Sequence, residues 1–110
     1  MQFFDNELVR AQATELMTIY EDLQDLMHSH KFNTEEGATE YLDKMTRMID
    51  LQEMIYFRAK YSDEVDAKEY LNVIDVSLPL VAREDEKDPT QTFRRMKAEL
   101  EKLKQMKGRS

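Results

Sequence analysis

His28 and His30 are the only histidines of the chain, and Glu36, Glu40 and Asp43 form its most regularly spaced group of carboxylates. Either group has the right chemistry for a metal ion. Residues two apart on a helix point to different sides, so the histidines share an ion only where the chain between them is extended. A di-iron bundle needs two Glu-x-x-His motifs and two further glutamates, and the chain holds one near-miss, Asp25-x-x-His28. A helix C-terminus, whose dipole favours a charged imidazole, accounts for the histidines more simply. The carboxylates suit a magnesium-dependent nucleotide pyrophosphatase of the all-α type only if they face inward between helices. Here Glu40 stands four before Lys44 and Asp43 four before Arg47, the spacing of solvated ion pairs. Glu35-Glu36-x-x-x-Glu40 also departs from the Glu-Glu-x-x-Glu of those enzymes. The chain has no cysteine, no Ser/His/Asp arrangement and no glycine loop that would cradle a phosphate. The expectation is a protein with no catalytic residue, cofactor or metal, and so not an enzyme.

Charge is unevenly placed. Residues 89–110 hold seven Lys/Arg against two Glu, a net of +5, while residues 1–88 hold nine Lys/Arg against 21 Asp/Glu, a net of −12. Arg94, Arg95, Lys97, Lys102, Lys104 and Lys107 are the candidate contacts for an acidic partner or for nucleic acid, since a basic stripe is the usual electrostatic footprint. Two features weigh against nucleic acid. The acidic body would repel phosphates, and no aromatic residue lies between Arg94 and Arg109 to stack on bases. The simplest reading docks the basic helix on its own acidic body, with its later cations suiting the helix dipole. A membrane surface is disfavoured by the absence of Trp and by the acidic body. The eight methionines, several on apolar stripes, read mainly as adaptable core filler, the other reading being a promiscuous binding surface.

The elements that must carry these residues are helices. Two glycines and two prolines in 110 residues argue against an all-β chain with its many tight turns. Asp5 is a good N-cap, with Phe4 and Val9 placed as a hydrophobic staple. Val9, Ala13, Leu16, Tyr20, Leu23 and Met27 then follow helical spacing, and Leu8, Ile19 and Leu26 widen the seam to about half the circumference. After His28-Ser-His-Lys-Phe32, Asn33 and Glu36 make a capping-box pattern. Ala38, Tyr41, Leu42, Met45, Met48, Ile49, Ile55, Tyr56 and Ala59 form the stripe of the second helix. Leu51, Met54 and Phe57 lie off that stripe, so its second half is apolar nearly all round and must be covered. Ser62 and Asp63 start a shorter helix ending at Pro79, residues 79–88 read as an acidic exposed loop, and Asp88-Pro89-Thr90-Gln91 starts a fourth helix that stops at Gly108. The predicted helices are about 5–29, 34–60, 63–78 and 89–107. The first two pair as a long antiparallel hairpin of coiled-coil-like packing, Val9-Leu16-Leu23 against Met45-Ile49-Tyr56. The fourth, tethered by the loop, docks weakly.

FFDNELV at the start, KF before the second helix and P-x-x-x-F-x-RMKAELEK near the end resemble a small all-helical family shared by cyanobacteria and their phages, known only as a domain of unknown function. The likeness spans most of the chain and is strongest at its ends. Residues 61–87 depart from the family's pattern and are more acidic. The resemblance implies a cytoplasmic helical protein and brings no active site.

Leu, Ile, Val and Phe number only 25, a thin core for a lone domain with 35% charged residues. No stretch is long and apolar enough to span a membrane, and the N-terminus lacks the pattern of a signal peptide. The expectation is one cytoplasmic all-α domain over residues 1–110 that pairs as a homodimer. Leu51, Met54 and Phe57 are its candidate dimer or helix-packing surface. It would act on an unidentified host or viral protein by contact, as a phage or cyanobacterial accessory. A nucleic-acid-associated protein and an all-α nucleotide pyrophosphatase are the alternatives.

Overall fold

The computed structural model describes residues 2–107 and, of Lys107, the backbone only. Four helices carry the fold: α1 (Glu7–Met27), α2 (Glu35–Lys60), α3 (Val65–Ser77) and α4 (Pro89–Lys107). No strand occurs among the described residues, so the class is all-α. The expected stop of α4 at Gly108 lies outside them.

The helix starts differ from the sequence expectation by one or two residues, each for a visible reason. Asn6, not Asp5, caps α1, its side-chain oxygen accepting from the backbone N–H of Leu8 and Val9 at 3.0 and 3.3 Å. Phe3–Asp5 winds instead into a 3-10 turn. The Asp66 carboxylate at the start of α3 accepts from the N–H of both Phe3 and Phe4, each at 2.9 Å, and so holds that turn. Thr34, not Asn33, caps α2. Its Oγ1 accepts from the Gly37 N–H at 3.0 Å and donates to the Lys31 carbonyl at 2.6 Å. Glu36, expected to complete a capping box, instead meets the Lys31 ammonium at 3.3 Å. At α3 the Ser62 hydroxyl accepts from the Glu64 N–H, and the helix begins at Val65. At α4 the expected start holds: Asp88 Oδ1 accepts from the Thr90 N–H at 2.7 Å, with proline first in the helix.

α2 lies at the centre, against α1, α3 and α4. Its face toward α1 is Leu51, fully buried with Ile19 and Leu23, and further along Ile55 and Ala59, packed with Val9 and Phe3. Its face toward α4 is Leu42, Ile49 and Tyr56, packed with Phe93 and Leu100. The α1–α2 hairpin therefore forms and runs antiparallel, with Gln12 at Met54 and Asp22 at Lys44. Its seam is the expected one on α1, with Val9, Leu16 and Leu23 facing α2, and at Met45, but not at the other two α2 positions. Ile49 and Tyr56 turn to α4, and Leu51, set aside as off the stripe, seals α1. A helix apolar all round serves two partners, and periodicity alone does not say which residue faces which.

α3 crosses the second half of α2. It starts beside α1, where Ala67 joins Phe3, Val9 and Ala59, and ends with Leu78 among Tyr56 and Phe93. Residues 79–88 are not a free tether. They turn back on α4, and Glu86 sits nearly buried beside Arg95 at 2.9 Å. The described residues span 48 × 32 × 19 Å, a slab two helices thick.

Candidate docking surface

The residues best suited to catalysis come apart in the fold. His28 ends α1 and His30 opens the turn after it; both are exposed. Lys44 reaches Asp22 on α1 and Arg47 reaches Glu15 on α1, rather than the carboxylates four residues before them. Glu40 holds Lys31, and Asp43 holds Lys104. Among the described residues no cluster of three His, Cys, Asp or Glu side chains stands close enough to hold a metal. The acidic stripe of α2 is thus occupied by cations of its own chain.

The basic stripe of α4 is occupied in the same way. Lys97 bridges Asp50 at 3.1 Å and Glu53 at 2.8 Å, and Lys104 sits 3.2 Å from Asp43. The hydrogen bond from Lys97 to Glu53 raises its pKa, burial opposing. Arg95 is clamped between Glu86 and Glu99 and also donates to the Val81 carbonyl at 2.7 Å. Only Arg94 and Lys102 of the described candidates make no ion pair, and both are exposed. The side chain of Lys107 lies outside the described residues, as does Arg109. Three of the candidate cations therefore neutralise the protein's own carboxylates, which leaves a sparse footprint for phosphates.

The methionines meet the core-filler expectation in part: Met45, Met48 and Met96 pack half-buried against the core clusters, and the others do not. None of the seven described is buried: Met17, Met27, Met54 and Met106 are exposed, and Met45, Met48 and Met96 are half-buried. Met45 and Met48, with Tyr41, touch both the α1-side cluster and the α4-side cluster, so they form the floor between those two helices. On α1, Tyr20, Gln24 and Met27 follow at spacings of four and three along the flank whose Tyr20 hydroxyl meets Gln52 at 2.6 Å. On α4, Met96, Leu103 and Met106 follow at seven and three, with Leu103 and Met106 48% and 68% exposed. Walls and floor make a shallow apolar trough over the first half of α2. α3 stands on the second half; over the first, the Phe32 ring packs edge-on against Tyr41 at 5.6 Å, and Met45 and Met48 are half-buried with no helix across them.

The trough deepens where α3 ends. A cleft of about 430 Å³ lies there, lined by Leu16, Tyr20, Gln52, Val73, Phe93 and Met96. Its polar points are few: the Tyr20–Gln52 pair, and the Tyr70 hydroxyl, which donates to the Gln52 carbonyl at 3.4 Å. Burial pushes the Tyr70 hydroxyl up to about 12, so it stays a proton donor at any physiological pH.

Leu51, offered as dimer or packing surface, packs between helices and is closed to any other partner. Met54 and Phe57 lie partly open away from it, Met54 accepting from the Gln12 amide at 3.3 Å. The sequence placed Tyr41, Met45, Met48 and Met96 on apolar stripes but held no signal that no helix would cross them. That follows from where α3 lands.

No curated protein and no solved structure matches the chain. The family described as a domain of unknown function, DUF1825, matches residues 1–107. With all but its last three residues matched, the chain belongs to that family.

Proposed function

We propose that this protein is a non-enzymatic interaction module that docks an amphipathic helix of another protein in the trough over the first half of α2. One observation carries the reading: none of the seven described methionines is fully buried, and Met45, Met48 and Met96 lie half-buried at the edge of the core on one apolar surface. Unbranched, polarizable methionine side chains repack around different partners at little cost, and helical partners offer apolar residues at matching i, i+3, i+4 and i+7 positions. A surface of this kind on a chain with ion-paired acidic and basic faces suits contact better than turnover. We further propose an accessory role in the cytoplasm of a cyanobacterium or of its phage-infected counterpart, as the resemblance at the chain's ends implies, with self-association as part of that role.

The test is capture from a lysate of such cells, comparing the full chain with Met48→Glu. Met48 is half-buried at the surface, and circular dichroism checks that the variant folds. Proteins retained by the wild type and lost with the variant support the trough as the docking surface. The same set retained by both overturns it. A magnesium-dependent turnover screen with nucleoside triphosphates is expected to give none. Salt-sensitive binding to generic RNA or DNA would move the assignment to the basic helix.

A further inference from the structure

The cleft where α3 ends has one polar wall, and the chemistry of that wall selects an occupant. Leu16, Ile74, Phe93 and Met96 give the cleft apolar sides, and Val73 and Val81 stand exposed at its mouth. No charged side chain among the described residues lines it. The Tyr70 hydroxyl is spent on the Gln52 carbonyl, and the Ser77 hydroxyl on the Val73 carbonyl. That leaves the side chains of Tyr20 and Gln52, bonded to each other at 2.6 Å. With the Gln52 amide donating, the Tyr20 proton and Gln52 Oε1 have no partner among the described residues. With the amide turned over, the free groups are a Gln52 N–H and a Tyr20 lone pair. Either way the pair offers one donor and one acceptor to whatever enters.

We propose that this cleft is the anchor site for a tyrosine side chain on the helix docked in the trough. The inference deepens the docking reading and rests on it. A charged group would lose its hydration there and meet no counter-charge. An aliphatic or phenyl group would strip water from the Tyr20–Gln52 pair and leave its donor and acceptor unmatched. A small hydroxyl or amide side chain would answer the pair but leave most of the 430 Å³ unfilled. Among Phe, Tyr and Trp, an indole only donates, whereas a phenol hydroxyl both donates and accepts. Its ring finds an aromatic neighbour in Phe93 and a thioether in Met96, contacts that favour an aromatic occupant. Continuity puts the tyrosine on the docked helix. Tyr20 and Met96 wall the trough and the cleft alike, so a helix lying over the first half of α2 meets the cleft where it abuts α3.

The isolated side chain is the probe: p-cresol, beside p-methylanisole, which lacks the proton, and toluene, which lacks the oxygen. Each is titrated into the full chain and followed by amide NMR shifts. p-Cresol is expected to saturate at millimolar concentration, the range for so few atoms, with shifts centred on Leu16, Gln52 and Val73. It should bind about fivefold or more tightly than either analogue, the worth of one good hydrogen bond. Tyr20→Phe combined with Gln52→Leu should keep the helical spectrum and toluene binding while erasing that advantage. Val73→Phe, at an exposed position on the mouth, should block all three probes. No saturable binding in the cleft, equal binding of p-cresol and toluene, or an advantage that survives the double variant overturns the proposal. Capture with Val73→Phe beside Met48→Glu tests the source of the ring. Partners lost with both variants and released by p-cresol support the anchor. Partners lost with Met48→Glu but held by Val73→Phe overturn the anchor and leave the docking reading standing. Binding of p-cresol in the cleft, with capture indifferent to Met48→Glu, overturns the docking reading and with it the docked helix as the source of the ring.

Discussion

Gly37 lies in the first turn of α2 against the chain that leads into it. A Cβ there would stand 1.8 Å from the Lys31 carbonyl oxygen and 2.5 Å from its carbon, both backbone atoms with no freedom to swing away. Replacing a helical glycine by alanine ordinarily stabilises by about 1 kcal/mol. Here the turn of residues 30–33 must move, and overpacking of this sort costs about 1–3 kcal/mol. Gly37→Ala is therefore expected to lower stability in urea denaturation, against its helix propensity. Two carboxylates at the same scale set the response to acid. Burial opposes ionisation of Asp66, and the N–H groups of Phe4 and Phe3 outweigh it, so its pKa is lowered from 3.8. Glu86 is lowered from 4.5 chiefly by the Arg83 N–H, against burial and with help from Arg95. The folded values lie below the unfolded ones, so the unfolded chain binds more protons as pH falls. Their contribution is complete above the ordinary values and is lost as pH drops through the lower, folded ones. Melting temperature should fall below about pH 5, and Asp66→Asn and Glu86→Gln should each flatten that fall while lowering the neutral value. A variant whose acid profile parallels the wild type would show that its carboxylate does not contribute in this way.

At the scale of elements, α4 is held by more than its charge. Phe93 is 1% exposed and Thr92 1%, with Leu100 closing the same seam on α2. The weak, tethered helix expected from the sequence is instead anchored at its first turns, and residues 79–88 are folded onto it through Glu86. Phe93→Ala should cost about 3–5 kcal/mol and speed amide exchange over residues 89–106 at every salt concentration. Salt alone should act more modestly, through the partly exposed Lys97 and Lys104 bridges, and mainly toward the C-terminal end of the helix. Loss of α4 protection in salt equal to that caused by Phe93→Ala would mean that the ion pairs, not the aromatic anchor, hold the helix.

For the whole molecule, methionine placement is directly measurable. Mild peroxide oxidises methionine according to access, so Met17, Met27 and Met106 should convert to sulfoxide before Met45, Met48 and Met96 in peptide mass spectrometry. Because Met17, Met27 and Met106 are exposed, the helical spectrum should survive the early conversions. Self-association and partner capture should weaken once Met45 and Met48 turn polar. Unfolding on the first oxidations would contradict the arrangement. The same slab explains why a thin core suffices for folding: α2 spreads its buried residues over three neighbours, and ion pairs between α1 and α2 and between α2 and α4 line the seams.

The sequence by itself determined the number and order of the helices, because 3.6-residue periodicity and the Asp88-Pro89 start are local signals. It also determined that α2 is central, because only a helix enclosed by several others is apolar on all sides. Cap positions slipped where a distant residue intervened, as Asp66 does in holding the turn before α1. Tertiary structure alone decided the rest. Which of Ile49 and Leu51 faces which neighbour depends on how two helices share one cylinder. Which cations remain free depends on carboxylates far along the chain meeting Lys97, Lys104 and Arg95. The trough exists because α3, half the length of α2, crosses its second half and leaves the first uncovered. Periodicity marks a residue as apolar-facing, and only packing says whether anything arrives to cover it.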